Sequence, residues 1–195
     1  MKVLAVVAHP DDEVLGVGGT LLRHKVEGHD VRVLILYKCS ARTLDEQIAQ
    51  AAESVERFGI DIDFAPGATS VDDYVTEYEP DIVYTHSRAD LHHEHQDALQ
   101  RTLVACRPQS GVRALYCFET PSATDWSGVA FTPQMFVDIT DQVDDKMHVM
   151  GAYERELREL PHPRNIDSLY HRGLYWGQIA GVDYAEAFET IREVW

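Results

Sequence analysis

The sequence predicts an α/β fold, with a Rossmann-like open, mostly parallel sheet flanked by helices. Residues 3–8 form an unbroken apolar run, which is typical of a strand covered on both faces. Similar runs alternate with helical patterns, as in β-α-β units. Polar clusters directly follow two of these runs, at the strand ends where open α/β sheets bind ligands. A chain of 195 residues can build one substantial core, so we expect residues 1–195 to form a single domain.

The first predicted β-α-β unit combines the strand 3–8, a helix over 15–27 that Gly28 ends, and a second covered strand over 31–37. Apolar periodicity and Gly or Pro breakers predict the other elements. The further helices are 44–58, 71–79, one running to about Ala105, 141–160 and 165–179, and the further strands are 60–64, 81–85, 112–118 and one within 131–139, before a tail over 184–195. We expect no linker within this arrangement.

Three glycines, Gly16, Gly18 and Gly19, interrupt the first predicted helix. Glycine is costly in a helix, so we interpret them as permitting close packing of that helix on the sheet. The alternative is a dinucleotide site. That alternative is disfavoured because the segment lacks the last glycine of G-x-G-x-x-G, and carboxylates stand where a pyrophosphate would bind.

The chain is strongly acidic, with a formal net charge of -16. Its composition, 45% hydrophobic and 26% charged residues, is typical of a globular protein. This charge argues against a nucleic-acid surface and would repel anionic membranes. The three cysteines lack metal-type spacing and imply no disulfide framework. The apolar start is too short for a signal-peptide core and no run is long enough to span a membrane, so we expect a cytoplasmic protein.

The first polar cluster, residues 8–13, reads Ala-His-Pro-Asp-Asp-Glu and directly follows the first strand. Pro10 keeps the residue before it extended. The adjacent Asp11 and Asp12 would repel each other unless a cation or hydrogen-bond donors absorbed the charge. His9 and Asp12 can converge on one metal ion, which leaves Asp11 beside it as a candidate general base. The alternative is that the carboxylates cap a helix and His9 is a satisfied buried histidine.

The second polar cluster, residues 86–96, follows a later strand and opens a helix. His92 and His95 share a helix face, so one can ligate a metal and the other can lie beside the ligand. Asp90 and Glu94 are placed to orient the imidazoles. Either one, by accepting a hydrogen bond from His92, would raise the pKa of His92 and keep it charged near neutral pH. The alternative is a solvated helix start. Two clusters at neighbouring strand ends instead favour a catalytic zinc site with three protein ligands and one open position.

Together these residues resemble the LmbE-like, or PIG-L, family of zinc-dependent N-deacetylases. The family's two signatures are Ala-His-Pro-Asp-Asp-Glu followed by Gly-Gly, and Asp-x-His-x-x-His. The C-terminal segments Pro-Ser-Ala-Thr-Asp-Trp, Pro-His-Pro-Arg and Tyr-Ala-Glu-Ala-Phe are also similar to segments of its bacterial members. The resemblance thus covers nearly the whole chain.

The resemblance implies one Zn²⁺ per chain, held by His9, Asp12 and His95. Another divalent transition metal could replace it, since affinity follows availability as well as geometry. The resemblance also implies that Asp11 is the general base and that His92 stabilises the oxyanion or protonates the departing amine.

Family members remove acetyl groups from N-acetylglucosamine units of lipids, thiol-protecting glycosides, antibiotics or chitin oligomers, and several are trimers or hexamers. By this resemblance we expect a deacetylase acting on an N-acetylglucosamine-type amino sugar or its conjugate, and a homo-oligomer. Candidate substrate-binding residues are Arg42, Trp126 and Arg164, although Trp126 can also fold back onto its own loop. Many relatives have a longer insert between positions 59 and 80, with Asp and Arg near the sugar. The identity of the sugar therefore does not carry over to this chain.

Two other functions stay open. An amidase that acts on a sugar-thiol conjugate would use the same residues. A sugar-binding or structural protein with a vestigial metal site is disfavoured, because the three ligands, the base and the second histidine are all present.

Overall fold

The computed structural model describes residues 1–38, 43–64 and 70–194. The strands are β1 (Lys2–Val7), β2 (Asp30–Ile35), β3 (Asp61–Phe64), β4 (Ile82–His86), β5 (Ala114–Phe118), β6 (Met135–Asp138) and β7 (Ala185–Glu193). The α-helices are α1 (Asp12–Val26), α2 (Leu44–Phe58), α3 (Val71–Tyr78), α4 (His93–Ala105), α5 (Val143–Met150) and α6 (Ile166–Ala180), and short 3-10 helices span Pro108–Ser110 and Gly151–Glu156. No helix in these described ranges is long and apolar enough to cross a membrane.

Within the described residues, the strands form one seven-stranded sheet in the order β3-β2-β1-β4-β5-β7-β6. The first five strands in this order are parallel, whereas β7 runs antiparallel to both β5 and β6. The chain moves from β1 to one edge of the sheet and returns to the centre at β4, so the strand order reverses between these two strands. Open α/β sheets bind ligands outside the carboxyl ends of the strands at such a reversal. The two polar clusters follow β1 and β4 and therefore meet there.

Alternate side chains of β1 enter two separate apolar layers. Val3, Ala5 and Val7 pack with residues of α1 and α5, whereas Leu4 and Val6 pack with residues of α3 and α4. All five side chains are fully buried. The unbroken apolar run is thus the sign of a strand covered on both faces. The prediction of a Rossmann-like, mostly parallel sheet flanked by helices is confirmed.

The predicted helix over 141–160 is wrong, because α5 ends at Met150 and a 3-10 helix follows. Tyr153 leaves the helical conformation, with φ -109° and ψ 31°. Its side chain is fully buried, and its hydroxyl donates a hydrogen bond to Glu13 of α1 at 2.6 Å. A tertiary contact thus ends the helix where the apolar periodicity alone would continue it.

The segment predicted as a tail, 184–195, instead contains β7, which lies between β5 and β6. Glu186 of this strand is buried and pairs with Lys146 of α5 at 2.7 Å. The same carboxylate accepts the backbone N–H groups of Gly19 and Thr20 at 2.9 and 2.8 Å. The Glu186 carboxylate therefore links β7 both to α5 and to the middle of α1. No local sequence pattern indicates this connection.

Gly16 and Gly19 lie where α1 is too close to its neighbours for a side chain. A Cβ at Gly16 would lie 2.1 Å from Cδ2 of Phe118 in β5, and one at Gly19 would lie 2.9 Å from Cδ1 of Ile139. A Cβ at Gly18 would meet its nearest heavy atoms at 3.4 Å, which is an ordinary contact. The predicted packing role is therefore confirmed for Gly16 and Gly19 and does not hold for Gly18.

Substituting Gly16→Ala should destabilise the protein, whereas Gly18→Ala should not. Both changes gain about 0.8–1.0 kcal/mol of helix propensity. Only the methyl group at position 16 meets the Phe118 ring, and overpacking of this kind costs about 1–3 kcal/mol. Urea unfolding followed by circular dichroism measures both effects. Equal unfolding midpoints for the two variants would contradict the packing assigned to Gly16.

Candidate metal centre

A strained turn between β1 and α1 presents the first polar cluster. Asp11 immediately precedes α1 and has φ 114° and ψ -28°, a left-handed conformation that non-glycine residues rarely adopt. Its backbone N–H donates to Oε2 of Glu13 at 3.0 Å, and its carbonyl accepts from the N–H groups of Val14 and Leu15. Such strain persists only where the surroundings over-determine it, and it is common at functional sites.

Glu13 supports this turn from inside the protein. Its side chain is fully buried, and Oε1 accepts hydrogen bonds from Tyr153 at 2.6 Å and from Ser54 at 3.5 Å. Burial raises the pKa of Glu13 to about 7. Glu13 thus positions Asp11 through the backbone. No spacing in the sequence links Tyr153 to this turn, so its part in the site could not be predicted.

Three side-chain atoms from the two polar clusters lie close together. His9 Nδ1 is 3.2 Å from His95 Nε2, and each of these nitrogens is 3.4 Å from Asp12 Oδ2. A tetrahedral zinc ion with bonds of about 2.0–2.1 Å needs its ligand atoms about 3.3–3.4 Å apart. The donor atoms of these residues therefore fit one such ion.

The carboxylate of Asp12 is buried among imidazoles. Burial alone would raise its pKa, but His95 and His9 hold the pKa of Asp12 well below the usual range. Oδ2 accepts the backbone N–H of His9 at 2.8 Å, whereas Oδ1 is buried and has no hydrogen-bond partner among the described residues. Buried polar atoms are rarely left without a partner. The orphaned oxygen is a second observation that fits a bound cation.

A carboxylate faces the outer nitrogen of each imidazole in this triangle. Asp90 Oδ2 lies 2.8 Å from His95 Nδ1, and Glu94 Oε2 lies 2.6 Å from His9 Nε2. Such contacts fix the tautomer and orientation of metal-binding histidines. Burial alone would lower the pKa of His9, but Asp12 and Glu94 raise it to about 9. A metal ion that binds His9 would therefore displace a proton.

His86, the last residue of β4, is a part of the site that the sequence pattern did not single out. Its ring is fully buried and stacks on His95, with centroids 4.1 Å apart. Nε2 is 3.5 Å from Asp12 Oδ2, so Asp12, His86 and His95 form another candidate ligand group. However, this Nε2 accepts the backbone N–H of Ala8 at 3.0 Å, and Nδ1 faces Thr120 Oγ1 at 3.1 Å. Because the Nε2 lone pair is engaged, His86 positions its neighbours. In the sequence, the position of His86 at the end of a predicted strand was the one feature that could have indicated its part in the site.

His92 lies beside the triangle, with its ring centroid 5.0 Å from that of His9 and 4.6 Å from that of His95. His9, His92 and His95 form a further candidate ligand group. The expectation that His92 is kept charged by Asp90 or Glu94 is wrong. Those carboxylates face other imidazoles, and Nδ1 of His92 accepts the backbone N–H of Glu94 at 3.3 Å. Burial and the neighbouring His95 and His9 lower the pKa of His92. The neutral ring therefore carries its proton on Nε2.

A pocket of about 150 Å³ opens over the site. It is lined by His9, Pro10, Asp11, Asp12, His92, Glu94, His95, Glu156 and Arg164. Arg164 donates to Asp11 Oδ2 at 3.4 Å and to Ser122 Oγ at 3.3 Å. Burial and the charge of Asp12 raise the pKa of Asp11 well above its usual range, against the lowering effect of Arg164. A strongly perturbed pKa in a residue that lines a pocket is typical of a functional group.

Trp126, the second predicted substrate-binding residue, lies outside this pocket. Trp126 is 61% exposed and makes an edge contact with His162, with ring centroids 5.2 Å apart. It does not line the pocket, although His162 Nδ1 accepts the backbone N–H of Arg164 at 3.0 Å. Arg42 lies outside the described residues, as do residues 65–69, which belong to the span where many relatives have a longer insert.

The fold and the site define an α/β protein with a candidate metal centre at the switch point of a parallel sheet. Comparison with known proteins confirms the predicted resemblance to the PIG-L family. The family model described as GlcNAc-PI de-N-acetylase matches residues 4–61, which contain the first polar cluster. The diacetylchitobiose deacetylase of Thermococcus kodakarensis is 25% identical to this chain, over 97% of this chain and 83% of that protein.

Two solved structures show the shared fold. The conserved protein TT1542 from Thermus thermophilus superposes with a TM-score of 0.79 at 24% identity, covering 99% of this chain and 95% of that one. GalB, the 4-carboxy-2-hydroxymuconate hydratase from Pseudomonas putida KT2440, superposes with a TM-score of 0.75 at 19% identity, covering 97% and 95%. The fold thus occurs in a protein whose name describes a hydratase and not a deacetylase.

Substituting Tyr153→Phe should destabilise the protein by about 1–3 kcal/mol, because the buried Oε1 of Glu13 would keep only the long 3.5 Å contact with Ser54. The change removes the 2.6 Å hydrogen bond to Glu13 and leaves the packing of the ring in place. Tyr175→Phe is the matched control, because that side chain is 55% exposed. Urea unfolding measures both variants. A Tyr153→Phe variant as stable as the control would show that Glu13 does not depend on this bond.

Proposed function

We propose that this protein is a metal-dependent hydrolase that removes the acetyl group from an N-acetylglucosamine-type amino sugar or its conjugate. The observation that carries the proposal is the triangle of His9 Nδ1, Asp12 Oδ2 and His95 Nε2, with Asp11 at the wall of the same pocket. The match to the PIG-L family model and the deacetylase among the relatives support the same activity.

His9, Asp12 and His95 would hold one zinc ion per chain, and another divalent transition metal could replace it. When bound, zinc supplies Lewis acidity, which polarises a carbonyl group and lowers the pKa of water. Asp90 and Glu94 hold the two imidazoles in the orientation that ligation needs, through their contacts of 2.8 and 2.6 Å.

Asp11 is the proposed general base. Its carboxylate lines the same pocket as the three ligand residues and accepts the proton of the attacking water. Arg164, 3.4 Å from this carboxylate, favours its ionised form and keeps it oriented at the pocket wall. Glu13 is not a substitute base, because both of its oxygens accept hydrogen bonds inside the protein.

His92 is the proposed donor to the oxygen of the reacting carbonyl. A neutral imidazole with its proton on Nε2 donates one hydrogen bond to that oxygen as negative charge develops. The backbone N–H of Glu94 fixes this tautomer by donating to Nδ1 at 3.3 Å. The proposed role is therefore stabilisation of the oxyanion, and a charged His92 is not required.

A second candidate activity is the hydration of an unsaturated carboxylic acid. Arg164 lines the same pocket, and a guanidinium there suits a substrate carboxylate. The hydratase GalB shares the fold. Incubation with N-acetylglucosamine conjugates and with an unsaturated dicarboxylic acid distinguishes the two, because deacetylation releases acetate and hydration removes the absorbance of the conjugated double bond.

The same assay separates the remaining alternatives. An amidase acting on a sugar-thiol conjugate would release a product other than acetate. A sugar-binding protein without activity would turn over none of these substrates when zinc is supplied. Acetate release from an N-acetylated sugar supports the proposed deacetylase, and its absence across sugars, nucleotide sugars and chitin oligomers would contradict it.

We also propose that the chain acts on a small amino-sugar substrate in the cytoplasm, as a homo-oligomer of three or six copies. A net charge of -16 disfavours nucleic acid as a partner. Light scattering on the purified protein tests the oligomer, and a monomeric mass would contradict it.

Substituting His95→Ala should remove the metal, because it deletes one corner of the triangle and leaves Asp12 and His9 as two ligands. His93→Ala is the matched control, since this neighbour on α4 does not belong to the triangle and does not line the pocket. Elemental analysis after dialysis should find one zinc ion per chain in the wild type and the control, and far less in His95→Ala. Full zinc stoichiometry in His95→Ala would rule out this ligand set.

Substituting Asp11→Asn should preserve zinc binding and lower the rate of acetate release on the order of 10²–10⁴ fold, the range for a positioned base. The amide keeps the size of the side chain but cannot accept the proton. Asp141→Asn changes an exposed carboxylate and is the control. A near-native rate in zinc-loaded Asp11→Asn would mean that the base lies elsewhere.

A further inference from the structure

The turn between α1 and β2 fixes two histidines next to each other. It lies at the amino ends of the parallel strands, whereas the candidate metal centre lies at their carboxyl ends. The N–H of His29 donates to the carbonyl of His24 at 3.1 Å, and the N–H of Gly28 donates to that of Lys25 at 2.9 Å. Gly28 has the left-handed φ of 78°. These bonds form a Schellman motif, in which an apolar pair usually packs across the turn. Here histidines occupy both positions of that pair.

The two imidazoles approach through equivalent nitrogens. His24 Nδ1 lies 2.9 Å from His29 Nδ1. A metal ion about 2.1 Å from both nitrogens would see them at about 90°, the angle between adjacent ligands of a tetragonal or octahedral ion. The distance between these two nitrogens is shorter than the 3.2 and 3.4 Å distances in the triangle of His9, Asp12 and His95. Those longer distances suit a tetrahedral ion.

Tyr84 orients the first of these rings. Its hydroxyl oxygen lies 2.9 Å from His24 Nε2. When Nε2–H donates to this oxygen, the lone pair of Nδ1 points toward His29. Burial lowers the pKa of His24 to about 4, so the ring is neutral near pH 7, the form that binds metal ions.

Glu27 adds an oxygen ligand. Its Oε2 lies 3.9 Å from His29 Nδ1, while Oε1 accepts a hydrogen bond from Arg23 at 3.0 Å. One ligand atom from each of His24, Glu27 and His29 lies within 4.8 Å of the others. The Glu27 side chain is 43% exposed, so an ion can enter from solvent and retain water molecules as its remaining ligands.

We propose that His24, Glu27 and His29 form a second metal site, separate from the catalytic centre, for a divalent ion that prefers tetragonal nitrogen and oxygen ligands, such as Ni²⁺ or Cu²⁺. The bound ion joins the end of α1 to the start of β2. Because the site exists only in the folded chain, its occupation stabilises the fold.

Isothermal titration of NiCl₂ into untagged protein that already holds one equivalent of zinc tests the proposal. The wild type should bind one Ni²⁺ per chain, and Ni²⁺ should raise its melting temperature. His24→Ala and His29→Ala should each weaken Ni²⁺ binding more than about tenfold, which is the scale of loss when even an orienting partner is removed. His171→Ala, an exposed histidine on α6, is the matched control and should bind as the wild type does.

Tyr84→Phe adds a readout of ligand orientation, because it removes the acceptor at His24 Nε2 and should weaken Ni²⁺ binding by about tenfold or more. Absence of Ni²⁺ binding to the zinc-loaded wild type would overturn the proposal, as would unchanged binding in His24→Ala. If His24→Ala has lost its circular dichroism signal, His29→Gln decides by the same criterion. Every variant should retain its zinc, so failure of this site is distinct from failure of the catalytic one.

Discussion

The candidate site is organised by the buried negative charge of Asp12. Burying a carboxylate away from water costs on the order of several kcal/mol of folding free energy. Nearby charges and hydrogen-bond donors must compensate for this cost. Here the compensation comes from two imidazoles, His9 after β1 and His95 on α4. These groups meet because β1 and β4 are neighbours where the strand order reverses. Even with both rings present, one oxygen of Asp12 lacks a partner within the described residues.

The helix that carries Asp12 is held by two further buried carboxylates. Glu13 ties the start of α1 to Tyr153, and Glu186 ties its middle to β7 and to Lys146. The C-terminal third of the chain thus positions a motif at the N-terminus. In our account, the strained backbone of Asp11 is tolerated because this support is rigid, and the strain directs its carboxylate into the pocket.

Much of the fold could be predicted because its signals are local: apolar runs, helical periodicity and glycine breakers. That the two polar clusters meet followed from parallel topology, since carboxyl ends of neighbouring strands lie at the same end of the sheet. The choice of His95 over His92 as the ligand came from the family resemblance. The break at Tyr153 could not be predicted, because its cause is a contact with a residue 140 positions away. The charge of His92 was misjudged for a different reason. Which imidazole each nearby carboxylate faces depends on distances of an ångström, and sequence spacing does not resolve them.

Anomalous diffraction at the zinc edge, from crystals of the zinc-loaded protein, would locate the metal ion directly. We expect a strong peak about 2.0–2.2 Å from His9 Nδ1, the Asp12 carboxylate and His95 Nε2, the distances normal for zinc. We also expect His86 Nε2 to accept the backbone N–H of Ala8 as before. A zinc ion bound by His86 in place of His9, with that hydrogen bond broken, would contradict this ligand set.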